Sequence, residues 1–359
     1  MKELFVDLAE KSYNIYFDID FENLCDKIES TGNYKKIMVV TDDNVNRLYA
    51  DEIMEKLSAH GFEASKYVLA SGEQNKNMDS VLGICKACIE NGLDRKSLIA
   101  AFGGGVVGDM AGFAAAIYMR GIDFIQVPTT LLSQSDSSVG GKTGIDFMDG
   151  KNLLGAFHQP KLVYMNIMTL STLPKREFIS GMGEVIKHGM IRDAEFFKFL
   201  RIHAEEIKRL EPEIMMQTVR RNCEIKASVV SVDEKEHGLR AILNFGHTIG
   251  HAVESACNFK RTHGECVALG MCAASLIAKN RGMLSDEELS RLTEILAGYG
   301  FETKIDLPDQ TVILSFMKKD KKNHNGKNTF VLPEKIGRVI RTDDVTEEEI
   351  RNALQFISK

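Results

Sequence analysis

The sequence predicts two domains, an N-terminal α/β domain with a parallel sheet and a mainly α-helical C-terminal domain. Three observations support this prediction. The chain has 359 residues, which is enough for about two domains. Strand and helix patterns alternate through its first part, as expected for a parallel sheet covered by helices. After about residue 165, helical patterns dominate. We therefore expect domains at residues 1–165 and 166–359.

The alternation begins at KIMVV (36–40), a β-rich run followed by turn and cap residues at 41–44. We then expect a helix to about residue 60, a strand near 66–69, a helix over 77–91, and strands at 97–105 and 124–130. Helical patterns of the second part lie at 177–191, 194–210, 213–230, 247–258 and 266–282. The lysine-rich stretch 318–328 predicts a loop or turn.

Composition limits the function classes. Hydrophobic residues make up 44% and charged residues 27% of the chain, which is typical of a globular protein. A net charge of −6 argues against a nucleic-acid partner. The sequence contains no apolar run that could span a membrane and no N-terminal signal-peptide core, so we expect a cytoplasmic protein without a membrane partner.

Seven cysteines with scattered spacing do not form a disulfide framework. Cys85 and Cys88 form a C-x-x-C motif within a helical pattern, and no second such pair lies near them. We expect two reduced, half-buried helix thiols rather than a redox or metal site.

Two glycine-rich segments could bind anions. GGGVVG (103–108) follows a predicted strand and fits G-x-G-x-x-G, the turn that places a pyrophosphate at a helix N-terminus. It lies outside the first strand–helix unit, so a tight turn of small residues is the alternative. GGKT (140–143) resembles the end of a P-loop, but Asp136 replaces the required glycine. What remains is a polar loop in which Lys142, Lys151 and Asn152 would suit an anionic substrate.

Histidines and a carboxylate predict a metal site. His247 and His251 are spaced i,i+4 and share one helix face, and His263 follows. Glu184 lies in GMGEVIKHG. Two imidazoles and one carboxylate form a common catalytic zinc site. Spacing alone allows Glu184 with His188, or His247 with His251, equally well as ligand pairs.

The ordered motifs resemble the 3-dehydroquinate synthase family of the sugar phosphate cyclases. They are the segment from GGGVVGDMAG to SSVGGKTGID (103–146), GKNLLGAFHQP (150–160), SGMGEVIKHG (180–189), LRAILNFGHTIGHAVE (239–254) and HGECVALGM (263–271). The resemblance implies the dehydroquinate synthase/glycerol dehydrogenase-like fold with a Rossmann-like first domain. It also implies a homodimer that converts 3-deoxy-D-arabino-heptulosonate 7-phosphate into 3-dehydroquinate and phosphate by oxidation, β-elimination, reduction and aldol closure.

The resemblance also implies site residues. Zinc or cobalt would be bound by Glu184, His247 and His263, and catalytic roles fall to His251, Lys142 and Glu236. NAD would be bound by Asp42, Ser71, Gly72, Glu73, Gln74, Asn75, Lys76, Gly104, Gly105, Val106, Val107, Gly108, Asp109, Thr129, Thr130, Lys142, Lys151, Thr169, Leu170, Ser171 and Thr172. The substrate would contact Arg120, Asp136, Lys142, Lys151, Asn152, Lys187, Lys226, Arg240, Asn244, His251 and Lys321.

Two positions depart from the family pattern: Ser135 replaces an apolar residue and Asp146 replaces an asparagine. Neither is expected to touch an assigned ligand residue. Three other functions are compatible with parts of the sequence. They are a related sugar phosphate cyclase, a metal-dependent polyol dehydrogenase of the glycerol dehydrogenase type, and a nucleotide-binding module without activity. The lysines and SSVGGKTG argue against the dehydrogenase, and the complete ligand set argues against the inactive module.

Overall fold

The computed structural model describes residues 1–148, 150–236, 238–323 and 328–359, with the backbone alone described at 319–323. The chain divides into two compact units, Met1–Leu173 and Pro174–Lys359. The sequence places a division after residue 165, whereas the structure divides after Leu173. None of the described helices combines the length and apolar character needed to cross a lipid bilayer.

The described residues of the first unit form nine strands. They are β1 (Lys2–Val6), β2 (Tyr13–Asp18), β3 (Lys36–Asp42), β4 (Glu63–Leu69), β5 (Leu98–Gly103), β6 (Asp123–Pro128), β7 (Lys142–Phe147), β8 (Gly150–Phe157) and β9 (Leu162–Asn166). Its helices are α1 (Leu24–Glu29), the short α2 (Asp43–Val45), α3 (Asp51–Ala59), α4 (Met78–Glu90) and α5 (Gly105–Ile117). Seven strands form one sheet in the order β1-β2-β9-β6-β5-β3-β4.

Every neighbouring pair in this sheet is parallel except β1 and β2. The run Ile37 to Val40 in β3 is completely buried, because helices cover both faces of the sheet. Met38 and Val40 pack in one core with α4 and α5, and Ile37 and Val39 pack in the opposite core with α1 and α3. The predicted α/β fold class is therefore confirmed.

The order of β4, β3, β5 and β6 places a topological switch point between β3 and β5. The chain leaves β3 toward β4 on one side and returns to build β5 and β6 on the other. Ligands of open α/β sheets bind beyond the carboxyl ends of the strands at such a point. The glycine-rich turn between β5 and α5 lies there.

The polar segment after Gly140, predicted as a loop, instead forms the antiparallel hairpin β7–β8, so that prediction was wrong. Gly144 and Gly155 allow the two strands to approach closely. A Cβ at Gly155 would lie 2.1 Å from the Thr143 carbonyl oxygen. Leu154 and Ala156 point to the core beside α5 and anchor the hairpin.

The second unit is mainly helical. Its helices are α6 (Lys175–Arg192), α7 (Ala194–Ile202), α8 (Ala204–Lys208), α9 (Pro212–Val232), α10 (His247–Ala256), α11 (His263–Asn280), α12 (Asp286–Gly298), α13 (Gln310–Asn323) and α14 (Glu347–Phe356). A small hairpin, β10 (Phe330–Lys335) and β11 (Arg338–Thr342), accompanies them. The loop predicted at 318–328 was wrong for 318–323, which continue α13, and 324–327 lie outside the described residues.

Glycines bring the central helices of this unit into close contact. A Cβ at Gly270 in α11 would lie 1.8 Å from the carbonyl oxygen of Gly246, the residue before α10. A Cβ at Gly264 would lie 1.9 Å from the Ser180 carbonyl oxygen in α6. Side chains at the starts of α10 and α11 therefore lie close to those in the middle of α6.

Candidate active site

A carboxylate and two imidazoles from three helices converge in the second unit. Glu184 in α6 is fully buried. Its Oε1 lies 3.4 Å from His263 Nε2 at the start of α11 and 3.6 Å from His247 Nε2 at the start of α10. Among the described residues, no group donates a hydrogen bond to this oxygen.

These distances suit a shared cation better than direct hydrogen bonds. Zinc bonds nitrogen and oxygen at about 2.0–2.2 Å, so tetrahedral ligands lie about 3.4 Å from one another. In both histidines, the ring nitrogen that points away from the cluster faces an oxygen atom, and this contact orients the ring. His247 Nδ1 donates to the Phe245 carbonyl oxygen at 3.1 Å, and His263 Nδ1 lies 3.6 Å from Glu254 Oε2. The donor set therefore fits a divalent metal ion.

The cluster is charge-compensated by a lysine. Lys187, one turn along α6, is buried and forms an ion pair with Glu184 Oε2. Burial raises the pKa of Glu184, but the Lys187 ammonium and the two histidines outweigh it and hold that pKa well below its usual range. Burial and then the Lys187 charge lower the pKa of His247. Burial also lowers the pKa of His263, but Glu184 and Glu254 outweigh it and raise that pKa to about 9.

His251 extends this cluster toward solvent. It lies one turn after His247 on α10 and is exposed. Its ring centroid is 5.1 Å from that of His247 and 5.6 Å from that of His263. The donor atoms of the three histidines lie within 4.8 Å of one another, so a three-histidine set is a geometric alternative. The buried Glu184 oxygen favours the set with one carboxylate.

The carboxyl ends of β3, β5 and β6 carry the first unit's predicted nucleotide residues. Gly104 precedes α5 without a side-chain cap, which leaves backbone N–H groups of the first turn for an anion. A Cβ at Gly108 would lie 2.6 Å from Gln126 Oε1, so a larger residue at this position would have to displace the buried Gln126 side chain on β6. Thr129 donates its N–H to the Gly103 carbonyl oxygen at 3.0 Å. Asp42, at the end of β3, caps α2.

The other predicted NAD residues follow β4 and β9. The six predicted residues that follow β4, 71–76, include a 3-10 turn, Glu73–Asn75, which is preceded by Gly72 at a φ of 106°. Thr169 to Thr172 belong to the 3-10 segment Ile167–Thr172. The buried Gln134 donates to the Thr169 hydroxyl at 3.2 Å and to the Asn166 carbonyl oxygen at 3.1 Å, which fixes this segment beside the end of β9.

Lys76 connects predicted nucleotide and substrate residues. Its buried ammonium lies 2.6 Å from Asp109 Oδ2 and donates to Asn152 Oδ1 at 2.6 Å. Asp146 Oδ1 accepts the backbone N–H of Asn152 at 2.8 Å. The expectation that Asp146 touches no assigned residue was therefore wrong. Asn152 has a positive φ of 52°, and this hydrogen bond holds it there. Lys151 lies 3.7 Å from Glu73 Oε1.

The predicted substrate residues divide between the units. Asp136 lies in the segment Ser133–Ser137 and Lys142 begins β7 in the first unit. Lys226 in α9 and Arg240, at the start of a 3-10 segment, are buried cations of the second unit. Asn244 ends that segment and donates to Glu236 Oε1 at 2.8 Å. Lys321 lies in α13, and its side chain is outside the described part of the chain.

Arg120 lies apart from the other predicted residues of its unit. It follows α5 and precedes β6, with a positive φ of 69°. Since α5 has 13 residues and is therefore about 20 Å long, Arg120 lies near the amino end of β6, opposite the glycine-rich turn. The first unit alone does not bring Arg120 to the predicted nucleotide residues.

Several residues that the family resemblance does not assign to the site are packed in the interior of their units. Cys85 is half-buried and Cys88 buried in α4, and burial raises the pKa of both thiols, that of Cys88 to about 12. His188 is buried, and its Nδ1 donates to Asn222 Oδ1 at 2.7 Å. Ser135 is also buried.

Glu254 was not predicted from the sequence, although the sequence contains a signal for it. The residue is buried at 4% exposure on α10. It follows His247 by seven residues and His251 by three, so the three side chains share one face of the helix. Acidic residues at such spacing are common on solvated helix faces. Only the packing of α10 against α11 shows that this one faces a histidine.

Fold and site together define a class of two-unit proteins. One unit is an α/β sheet with a dinucleotide-type turn, and the other is a helical unit with a candidate metal centre. Models of the 3-dehydroquinate synthase N-terminal and C-terminal regions match residues 66–180 and 181–323. The chain therefore belongs to the 3-dehydroquinate synthase family.

Individual relatives cover the whole chain. The 3-dehydroquinate synthase of Acetivibrio thermocellus is 46% identical over 100% of both chains. That of Prochlorococcus marinus AS9601 is 42% identical over 96% of this chain and 97% of its own length. These two relatives belong to different bacterial genera and carry the same name.

Solved structures of sugar cyclases share the fold. The 2-epi-5-epi-valiolone synthase of Streptomyces hygroscopicus, with NAD+ and Zn2+ bound, has a TM-score of 0.90 and 28% identity over 98% of both chains. A 2-deoxy-scyllo-inosose synthase with carbaglucose-6-phosphate, NAD+ and Co2+ has a TM-score of 0.88 and 26% identity, over 98% of this chain and 99% of its own. An iron-containing alcohol dehydrogenase shares the fold at 14% identity and a TM-score of 0.66, with 96% of this chain and 97% of its own covered.

Proposed function

We propose that this chain is a 3-dehydroquinate synthase. It converts 3-deoxy-D-arabino-heptulosonate 7-phosphate into 3-dehydroquinate and phosphate, with NAD and one divalent metal ion, zinc or cobalt, as cofactors. The reaction comprises oxidation at carbon 5, β-elimination of phosphate, reduction at the same carbon and an intramolecular aldol closure. Full-length relatives with this name support the proposal.

One structural observation carries it: the buried Glu184 oxygen lies within 3.6 Å of Nε2 of both His247 and His263. These three residues would hold the metal ion. A zinc ion held there would supply Lewis-acid chemistry: it would lower the pKa of a substrate hydroxyl and stabilise the resulting negative charge. Lys187 holds the second oxygen of Glu184, so that Oε1 stays directed at the histidines.

The first unit holds the dinucleotide. The N–H groups at the start of α5, from Gly104 to Asp109, would bind the pyrophosphate, and Asp42 would lie near the adenosine. Residues 71–76, Thr129, Thr130 and the segment 169–172 complete the cofactor set, with Lys142 and Lys151 at its edge. NAD held by these residues would supply a hydride acceptor for the oxidation and a hydride donor for the later reduction, and would be regenerated in each turnover.

Positive side chains bind the substrate's carboxylate and phosphate. The chain as a whole is acidic, with a net charge of −6, so local cations must supply the attraction. Lys187, Lys226 and Arg240 are buried in the second unit, where charge-assisted hydrogen bonds to an anion are strong. The remaining substrate contacts come from Arg120, Asp136, Lys142, Lys151, Asn152, Asn244, His251 and Lys321.

Proton transfer is assigned to His251. Its position one turn from His247 places it beside the metal ligands, and its exposure lets it exchange a proton with solvent. Glu236 orients Asn244 through their 2.8 Å hydrogen bond. Lys142 would hold the phosphate that departs. The enzyme acts in the cytoplasm as a homodimer, and its small-molecule partner is an anionic sugar phosphate.

A turnover assay tests this function. Purified protein with zinc and heptulosonate phosphate is supplied with NAD well below the substrate concentration, and phosphate and the NADH absorbance are followed together. We expect many phosphates per NAD, no lasting NADH, and 3-dehydroquinate as the product. Glu184→Gln, which keeps the shape of the side chain and loses its charge, should lose phosphate release and zinc content together.

Each alternative function gives a different result in this assay. A related cyclase would recycle NAD but release a different carbocycle or accept another sugar phosphate. A polyol dehydrogenase would release no phosphate and would accumulate NADH when polyols replace the substrate. A binding module without activity would show neither signal. Any of these three results would contradict the proposal.

A further inference from the structure

We propose that Glu254 is a positioning residue that holds His263 in the orientation required to bind the metal ion. The inference rests on the metal site of the proposed function and goes beyond its three ligands. Glu254 Oε2 lies 3.6 Å from His263 Nδ1, the ring nitrogen opposite the one that faces Glu184. The side chain of Glu254 is 5% exposed.

The two histidines of the cluster are held in different ways. His247 Nδ1 donates to the carbonyl oxygen of Phe245, two residues earlier in its own segment. His263 is the first residue of α11, and its Nδ1 faces a carboxylate from the neighbouring helix α10. The orientation of His263 therefore depends on a side chain that can be replaced, whereas that of His247 depends on the backbone.

A carboxylate at this position has two physical effects on the imidazole. It favours the tautomer with hydrogen on Nδ1, which leaves the lone pair of Nε2 for the metal ion. It also adds negative charge beside the ring, which strengthens Nε2 as a ligand. Loss of such an outer carboxylate typically weakens metal binding by 10–100-fold.

The packing of α10 against α11 makes this arrangement rigid. A Cβ at Gly250 would lie 2.8 Å from the Cys266 carbonyl oxygen, so the two helices are in backbone contact about one turn away from Glu254 and His263. A buried carboxylate costs free energy unless it is paired, and the histidine offsets this cost.

Zinc affinity and the spectrum of the cobalt-substituted protein test the inference. Metal-free protein is titrated with zinc against a chromophoric chelator, and with Co2+ while the visible absorption bands are recorded. We expect Glu254→Ala to weaken zinc binding by about 10–100-fold and to shift the cobalt bands. Glu254→Gln should lie between this variant and the wild type, because an amide oxygen can face Nδ1–H as the carboxylate does but carries no charge.

Glu288→Gln is the control, because Glu288 caps α12 through Ser285 and the Ile336 N–H and is not part of the cluster. It should bind zinc and cobalt as the wild type does, and thermal unfolding of each metal-free variant shows whether it is folded. A zinc affinity of Glu254→Ala within about twofold of wild type, or an equal loss in Glu288→Gln, would overturn the inference. A wild type that binds no zinc would overturn the proposed metal site itself, and this result is distinguishable from the other two.

Discussion

Lys187 and Glu184 form an ion pair within the buried part of α6. Removal of one partner from a buried pair typically costs 3–5 kcal/mol, because the remaining charge loses its compensation. A divalent cation bound at Glu184 Oε1 supplies the same compensation from the other side. The ammonium of Lys187 and a metal ion therefore stabilise the same carboxylate, and they repel one another.

Lys187→Met should lower the melting temperature of the metal-free protein and enlarge the stabilisation that zinc produces. Without the ammonium, Glu184 binds the cation more strongly, and a tenfold gain in affinity adds about 1.4 kcal/mol at saturating zinc. Differential scanning calorimetry with and without zinc measures both quantities. Lys279→Met, which removes a surface lysine paired with Asp286, is the control. A zinc-induced gain no larger than that of the wild type would contradict the prediction.

At the residue scale, the sequence could predict which types of residue bind the metal ion, but not which of these residues bind it together. Two ligand pairs, Glu184 with His188 and His247 with His251, were equally compatible with spacing. In the structure His188 hydrogen-bonds Asn222, and His251 is exposed. The resemblance to a family, rather than periodicity, implied the set with His263. Glu254 and Asp146 were missed because their partners lie on other elements, and contacts between elements leave no local pattern.

At the element scale, backbone contact between α10 and α11 determines how accurately the histidines are placed. Gly270→Ala should destabilise the protein by about 3 kcal/mol or more, because the new Cβ would lie 1.8 Å from a backbone oxygen that cannot move alone. It should also weaken zinc binding. Gly298→Ala is the matched control, since nothing lies within 4 Å of its Cβ in α12, and it should stabilise by up to about 1 kcal/mol. Chemical denaturation of both variants tests this, and equal effects would contradict it.

A second contact, between the end of α11 and α14, should make the free energy of unfolding depend on pH in the acidic range. Arg281 donates to both carboxylate oxygens of Glu349, at 2.6 and 2.8 Å, and lowers the pKa of Glu349 from 4.5 to about 2. A depressed carboxyl pKa stabilises the folded state above the unfolded value, and this contribution is lost as pH falls from 4.5 toward 2. Because both side chains are about one-quarter exposed, we expect only about 1 kcal/mol.

Arg281→Met should therefore be less stable than the wild type by about this amount at pH 7, and the difference should shrink below pH 4.5. Urea unfolding at a series of pH values measures it. Arg291→Met, which removes a surface pair with Glu287 within one helix, should show little difference at any pH. A difference for Arg281→Met that stays constant down to pH 2 would show that the ion pair is not its source.

Elements were predictable where the period of the hydrophobic pattern was clear. The buried run of β3 and the long helices of the second unit gave such patterns. The β7–β8 hairpin gave no clear hydrophobic pattern. When the sequence is considered alone, its glycines suggest a loop: Gly140, Gly141, Gly144 and Gly150. Its strands form because Leu154 and Ala156 pack on α5, and that packing depends on the rest of the fold.

On the scale of the whole molecule, the proposed sites for metal and dinucleotide belong to different compact units. Glu184, His247 and His263 all lie in Pro174–Lys359, whereas the proposed NAD residues all lie in Met1–Leu173. The change from alternating to helical patterns after about residue 165 is the basis on which the sequence predicts two domains. The exact boundary depends on the 3-10 segment Ile167–Thr172, which continues directly from β9 and has no strong sequence signal.

Hydrogen–deuterium exchange on the full chain should distinguish the region that binds zinc from the region that binds NAD. Because a ligand stabilises the structure that binds it, zinc alone should slow exchange in α6, α10 and the start of α11. NAD alone should slow exchange in residues 71–76 and the first turn of α5. Glu184→Gln should lose the zinc effect and keep the NAD effect, which excludes a general loss of folding as the cause. Zinc protection of residues 71–76 equal to that of α10 would contradict the assignment of the metal ligands to the second unit.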